Sequence, residues 1–129
     1  MAKRAKTSRA LVAVVDDDES VRESLPDLLQ TLGFAARAFA SAQEFLTSDC
    51  LATTRCLLLD VAMPDMSGPE LHRQLLVRKH AIAIIYITAR ADEALRQQLL
   101  RQGAVECLFK PFSEQQLRVA LDAAVPGGI

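Results

Sequence analysis

Short apolar runs with no in/out alternation recur along this chain between longer stretches of helical period, and few folds accept that rhythm. "ALVAVV" (10–15), "CLLL" (56–59) and "IAIIYI" (82–87) are continuously apolar, as strands are when both faces of a parallel sheet are covered. After Glu19, Val21, Leu25, Leu28, Leu29 and Leu32 fall three and four residues apart, one apolar helical stripe, and Gly33 follows as a C-terminal stop. Pro26 inside that stretch removes one backbone bond and predicts a tolerated kink. "FAARAF" (34–39) reads as a weaker strand toward the sheet edge and "VECLF" (105–109) as a last one. Ser41 with Glu44, and Ser113 with Gln116, have the spacing of capping boxes. Helices near 67–79, 91–102 and 113–125 complete five strand–helix pairs.

Regular alternation of this kind, with right-handed crossovers, implies an α/β fold in which helices cover both faces of an open parallel sheet. At five strands the flavodoxin-like order 2-1-3-4-5 is favoured. A chain of 129 residues holds one such domain, placed here at 10–125, and leaves no room for a second. Residues 1–9, with Lys3, Arg4, Lys6 and Arg9 and no acid, read as a basic disordered tail, and 126–129 as a short C-terminal one. A net charge of -1 supplies no field to gather nucleic acid or an anionic membrane. Nothing after "DAAVPGGI" could form a helix-turn-helix, so no direct nucleic-acid binding is expected. Three cysteines, Cys50, Cys56 and Cys107, show no C-x-x-C spacing, which argues against a disulfide framework or a zinc site. The N-terminal apolar run is too short to span a bilayer and is followed by four acids, so a cytoplasmic location is expected.

In this architecture ligands bind beyond the carboxyl ends of the strands, near the switch point between the first and third. The residues expected there are Asp16, Asp17 and Asp18 after the first strand, Asp60 after the third, Thr88 after the fourth, and Lys110 with Pro111 after the fifth. Two carboxylates about 4 Å apart repel by roughly 1 kcal/mol in water and about 4 at an effective dielectric near 20, so Asp16, Asp17 and Asp60 call for a cation or for shared protons. Hard oxygen ligands with room for water and phosphate suit Mg²⁺. Asp60 is then placed to attack phosphorus as a nucleophile. Lys110 can neutralise charge on the transferred group, and the Thr88 hydroxyl can hydrogen-bond one of its oxygens. Asp18 and Glu19 are better suited to the positive end of the first helix than to metal.

"VVDDDE", "LLLDVAMPDMSG", "YITA" and "FKPF", in this order and each at a strand terminus, resemble the receiver domain of two-component response regulators over residues 10–125. "DDDESVRESL" and "DMSGPEL" are most similar to FixJ-type receivers. The resemblance implies a CheY-like fold and a phosphoacceptor, not an enzyme acting on other substrates. It implies Asp60 as phosphoacceptor, Asp17 as direct Mg²⁺ ligand with Asp16 acting through water, and the Ala62 backbone carbonyl as the third protein ligand. It further implies Thr88 as the switch hydroxyl, Ala89 as the backbone N–H donor beside it, Lys110 as the phosphate-binding lysine and a cis bond to Pro111. The implied partner is a histidine kinase or phosphotransfer protein.

The resemblance fails at one position, because Cys107 stands where the family carries its switch aromatic. Strand alternation points Phe109 to the same side, where it could supply an aromatic contact for a homodimer or a downstream protein on the surface formed by the fourth helix, fifth strand and fifth helix. The chain could equally be the input half of a FixJ-type DNA-binding regulator. An aspartate-nucleophile phosphatase would need a second acid two residues after Asp60, where Ala62 stands. His72 and His80 have no partner at ligand spacing and read as solvated; Cys50 and Cys56 read as small apolar residues.

Overall fold

The computed structural model describes residues 9–126, so the tails assigned above to 1–9 and 126–129 lie almost wholly outside the described residues. Ten elements alternate without exception: β1 (Leu11–Val15), α1 (Glu19–Thr31), β2 (Ala35–Phe39), α2 (Ala42–Leu46), β3 (Thr54–Asp60), α3 (Gly68–Val77), β4 (Ala83–Thr88), α4 (Glu93–Arg101), β5 (Glu106–Phe109) and α5 (Glu114–Ala124). All strand pairs are parallel, in the order β2-β1-β3-β4-β5. The weaker strand β2 takes an edge, as its composition predicts.

Alternate residues of each strand feed two separate cores. Val15, Leu57, Leu59, Ile84 and Tyr86 pack under Phe45 of α2, Leu71 and Leu75 of α3 and Leu99 of α4. Val12, Val14, Leu58, Ile85 and Ile87 pack under Leu25 and Leu29 of α1 and Leu117 and Leu121 of α5. With both faces buried, the central strands show the unbroken apolar runs seen in the sequence. Each fully buried Leu or Ile contributes about 1.5–3 kcal/mol over an exposed one.

Local chemistry sets where the helices begin. The Asp18 carboxylate accepts from the Ser20 N–H at 3.0 Å and caps α1. Ser113 and Gln116 close a reciprocal capping box on α5. At α2 the box is displaced: Ser41 Oγ takes the Glu44 N–H, but the Glu44 carboxylate reaches the N–H of Ala40, one residue too early. A box absent from the sequence reading, Ser67 with Glu70, starts α3. Gly33 ends α1 at φ 101°, a left-handed conformation that suits glycine. Pro26 lies within α1, and the helix continues past it to Thr31.

Candidate phosphoacceptor site

The order β2-β1-β3 makes β1 and β3 direct neighbours, and Val15 pairs with Leu59 at the last rung. The residues that follow are therefore forced together. Asp16, Asp17 and Asp60 each present a carboxylate oxygen within 4.8 Å of the others. Asp16 is fully buried and Asp60 only 8% exposed, whereas Asp17 is exposed. A cleft of about 270 Å³ is lined by Asp16, Asp17, Asp60, Ala62, Thr88, Ala89 and Lys110, joined by Asp18, Val61, Arg90 and Leu95. Every residue assigned to the phosphoryl and metal site from the sequence thus borders one cleft. Asp18 borders it too, with its carboxylate turned to the α1 cap.

Burial, then the charge of Asp16, pushes the Asp60 carboxyl up to about 7, with Lys110 pulling the other way. Lys110 Nζ lies 2.9 Å from Asp16 Oδ2 across 94 residues of sequence. Burial works against the charged lysine, but the hydrogen bond and charge of Asp16, with Asp60 and Asp18 behind, outweigh it and raise its pKa. Asp16 Oδ1 accepts from the Asp18 N–H at 2.9 Å, so both of its carboxylate oxygens are engaged by the protein. The Thr88 hydroxyl accepts from the Arg90 N–H at 3.1 Å, and the Lys110 N–H reaches the Thr88 carbonyl at 2.8 Å, tying β4 to β5 at the rim. The Lys110–Pro111 peptide is cis.

Three converging carboxylates, with the Asp60 carboxyl raised by burial and by the Asp16 charge, have the hard-oxygen donor set that a small divalent cation fits. Asp17 is exposed and Ala62 lines the cleft beside it, while Asp16 Oδ2 is held by Lys110.

Two residues near the site, and one ion pair on the β5 edge of the sheet, carried no functional reading in the sequence. Gly68 opens α3 against the end of β3: a Cβ there would collide with the Asp60 carbonyl and stand 3.0 Å from Tyr86 Cε1 and 3.2 Å from Val61 Cα. Arg22 donates from Nη1 to the Asp16 carbonyl at 3.0 Å. Arg96 on α4 holds Glu106 on β5 at 2.8 Å, and the same Glu106 oxygen accepts the Cys107 N–H on the exposed edge of the sheet.

His72 corrects the expectation of a solvated histidine. It is 8% exposed, with Nδ1 3.2 Å from the Tyr86 hydroxyl, and burial lowers its pKa. Residues 68, 71, 72 and 75 form the buried stripe of α3, so helical period places His72 inside, and Tyr86 supplies the polar partner a buried ring needs. Cys50, Cys56 and Cys107 are all buried. Burial raises the Cys56 thiol to about 12 and the Cys107 thiol to about 11, which makes both poor nucleophiles. Cys107 pairs with Tyr86 across the sheet, and Phe109 with Thr88. Cys107 and Phe109 point to the same side, as alternation predicts, and border a groove of about 470 Å³ with Val119 of α5.

A five-stranded parallel sheet whose central strands end in buried carboxylates, with a lysine and a hydroxyl across the cleft, defines a domain built to carry a phosphoryl group on an acid. The family model for the response regulator receiver domain matches residues 12–122, and the chain belongs to that family. Phosphorylation of an aspartate is general for receivers, which act as regulators without turning over other substrates. Nodulation protein W of Bradyrhizobium diazoefficiens is 40% identical over 118 residues, which cover 92% of this chain and 52% of that protein. The structure of the response regulator StyR matches with a TM-score of 0.83 at 40% identity, covering 94% of this chain and 61% of that one. FixJ-N matches with 0.80 at 37%, covering 91% and 94%. The chain spans about half the length of the curated relatives it matches. Among the described residues no helix is long and apolar enough to cross a membrane.

Proposed function

We propose that Asp60 is the phosphoacceptor of a two-component phosphorelay, that Asp17, Asp60 and the Ala62 carbonyl hold Mg²⁺ with Asp16 acting through water, and that phosphorylation changes which proteins this domain binds. The observation that carries the reading is the convergence of Asp16, Asp17 and Asp60 in one cleft with Lys110 and Thr88. An Asp60 carboxylate oxygen bonds to phosphorus as the P–N bond of a donor phosphohistidine breaks and its electron pair leaves with the imidazole. Held by Asp17, Asp60 and the Ala62 carbonyl, Mg²⁺ would supply positive charge favouring the ionised carboxylate and offsetting the phosphoryl oxygens. Lys110 offers a second cation, the Thr88 hydroxyl a hydrogen bond, and the Ala89 N–H another. Hydrolysis of the acyl phosphate restores Asp60, so the chain catalyses only its own phosphorylation and dephosphorylation.

Receivers interact with histidine kinases or phosphotransfer proteins. Here the donor's seat is the cleft of about 330 Å³ lined by Val21, Ser24, Leu25, Leu28, Pro111 and Phe112, which opens beside Lys110. Output runs through the face of α4, β5 and α5, with Phe109 as its aromatic anchor beside Cys107. A second reading, an input half joined to a DNA-binding segment, is favoured by one observation: the relatives include transcriptional regulatory proteins of about twice the matched length. A reducing cytoplasm accords with three buried free thiols.

Intact mass after incubation with acetyl phosphate and Mg²⁺ tests the reading. One added phosphoryl group is expected on the wild type and none on Asp60→Asn. Equal gain by both proteins, or gain by neither with Mg²⁺ binding established, overturns it.

A further inference from the structure

We propose that Arg22 is a positioning residue for the acidic site: by holding the Asp16 carbonyl it sets the peptide plane that aims the Asp17 carboxylate at a divalent cation. The inference rests on the reading of Asp17 as a metal ligand and goes beyond it to a residue outside the cleft wall.

Arg22 stands in the first turn of α1, where the helix dipole disfavours a cation. Its place is therefore not explained by the helix it belongs to. The half-buried side chain reaches back six residues and donates from Nη1 to the Asp16 carbonyl at 3.0 Å. β1 ends at Val15, so that carbonyl lies beyond the strand proper and Arg22 supplies its donor. Asp16 is gripped at three further atoms: its N–H donates to the Phe39 carbonyl at 3.1 Å, its Oδ1 accepts from Asp18, and its Oδ2 meets Lys110.

Asp17 is exposed, and its direction depends on the backbone that carries it. The Asp16 carbonyl and the Asp17 nitrogen belong to one planar peptide unit. Fixing the carbonyl therefore fixes the bond from which Asp17 projects. Groups that orient metal ligands in this way change affinity without touching the ion.

The guanidinium also brings positive charge toward a cation site, and this gives the proposal a sign that can fail. If Arg22 acted only through its charge, removing it would tighten Mg²⁺ binding. If it positions Asp17, removing it weakens binding. Isothermal titration of MgCl₂ into the full chain, for wild type, Arg22→Met and Arg22→Lys, separates the two. Arg22→Met keeps the apolar stem and should bind Mg²⁺ about tenfold more weakly; Arg22→Lys keeps a charged donor and should fall between. In the metal-free proteins, the ¹⁵N order parameter of Asp17 should drop in Arg22→Met and recover in Arg22→Lys.

Equal or tighter Mg²⁺ binding by Arg22→Met overturns the proposal. So does a lowered melting temperature with unchanged affinity and unchanged Asp17 mobility, which would leave Arg22 only a structural role. Failure of the wild type to bind Mg²⁺ would overturn the metal-site reading itself, and with it this inference.

Discussion

Asp60, the proposed phosphoacceptor, is the residue at which site chemistry and stability would meet. Its folded pKa is raised to about 7, chiefly by burial and the Asp16 charge, so between about pH 4 and pH 7 the native state holds a proton that the unfolded chain releases. Stability from this group is fully present at low pH and is lost as pH rises through 7. Asp60→Asn removes the charge, so in metal-free buffer the variant should gain about 1–2 kcal/mol over the wild type at pH 8 and much less at pH 5. Thermal melts of the pair at both pH values check this; a difference that does not change with pH would show that Asp60 ionises freely in the cleft. Mg²⁺ should narrow the gap at pH 8, because a ligand that binds only the native wild type stabilises it by mass action. Asp60 and Asp16 were legible in the sequence because an acid ending an apolar run has few structural uses. Arg22 was not, since one arginine in an amphipathic helix looks like any other solvated charge until its partner is known.

Elements meet at the site with little clearance. Between β3 and α3 the chain turns through Val61–Ser67, and Gly68 N–H returns to the Val61 carbonyl at 2.9 Å. The first residue of α3 thereby lies against the Asp60 carbonyl. Alanine for glycine ordinarily stabilises a helix by up to about 1 kcal/mol. Gly68→Ala should instead destabilise by about 2–3 kcal/mol, because its Cβ meets rigid backbone rather than a flexible side chain. Urea unfolding decides by the sign alone, and a stabilised variant would mean that the junction yields freely. Helix and strand identities followed from periodicity, and the starts of α2 and α5 from their capping residues. The displaced box at Ser41 shows the limit: spacing names candidate bonds, but the entry angle of the chain chooses whether Glu44 reaches Ser41 or Ala40. The same limit applied to His72, whose helical position was readable but whose partner, Tyr86 on β4, was not.

At the scale of the molecule, one sheet order joins the N-terminal acids to a lysine near the other end of the chain. Lys110 reaches Asp16 although β5 and β1 are separated by β3 and β4. The face proposed for output lies on the far edge of the same sheet, where the Arg96–Glu106 ion pair and the Glu106 contact to the Cys107 N–H cover an otherwise open strand. Phe109 pairs with Thr88 and Cys107 with Tyr86 in the register of β4 and β5, so the aromatic residue nearest the proposed switch hydroxyl in that register is Phe109, with Cys107 two residues before it. Phe109→Ala should accept phosphate from acetyl phosphate as the wild type does, while its phosphorylated form self-associates about tenfold more weakly. Equilibrium sedimentation after phosphorylation measures this, and an unchanged association constant would remove Phe109 from the contact.

Local period and residue chemistry were enough to give the alternation of strands and helices, the five-stranded parallel class and the acids, hydroxyl and lysine at the strand ends. These are properties of local period and of residues that resist burial, and both are written in consecutive residues. Tertiary structure alone decided that Arg22 holds the Asp16 carbonyl, that Gly68 must lack a side chain, that His72 is inside, and that Glu106 closes the sheet edge against Arg96. Each of these depends on the distance between groups on different elements, and that distance exists only once the two cores have packed and fixed every helix against the sheet.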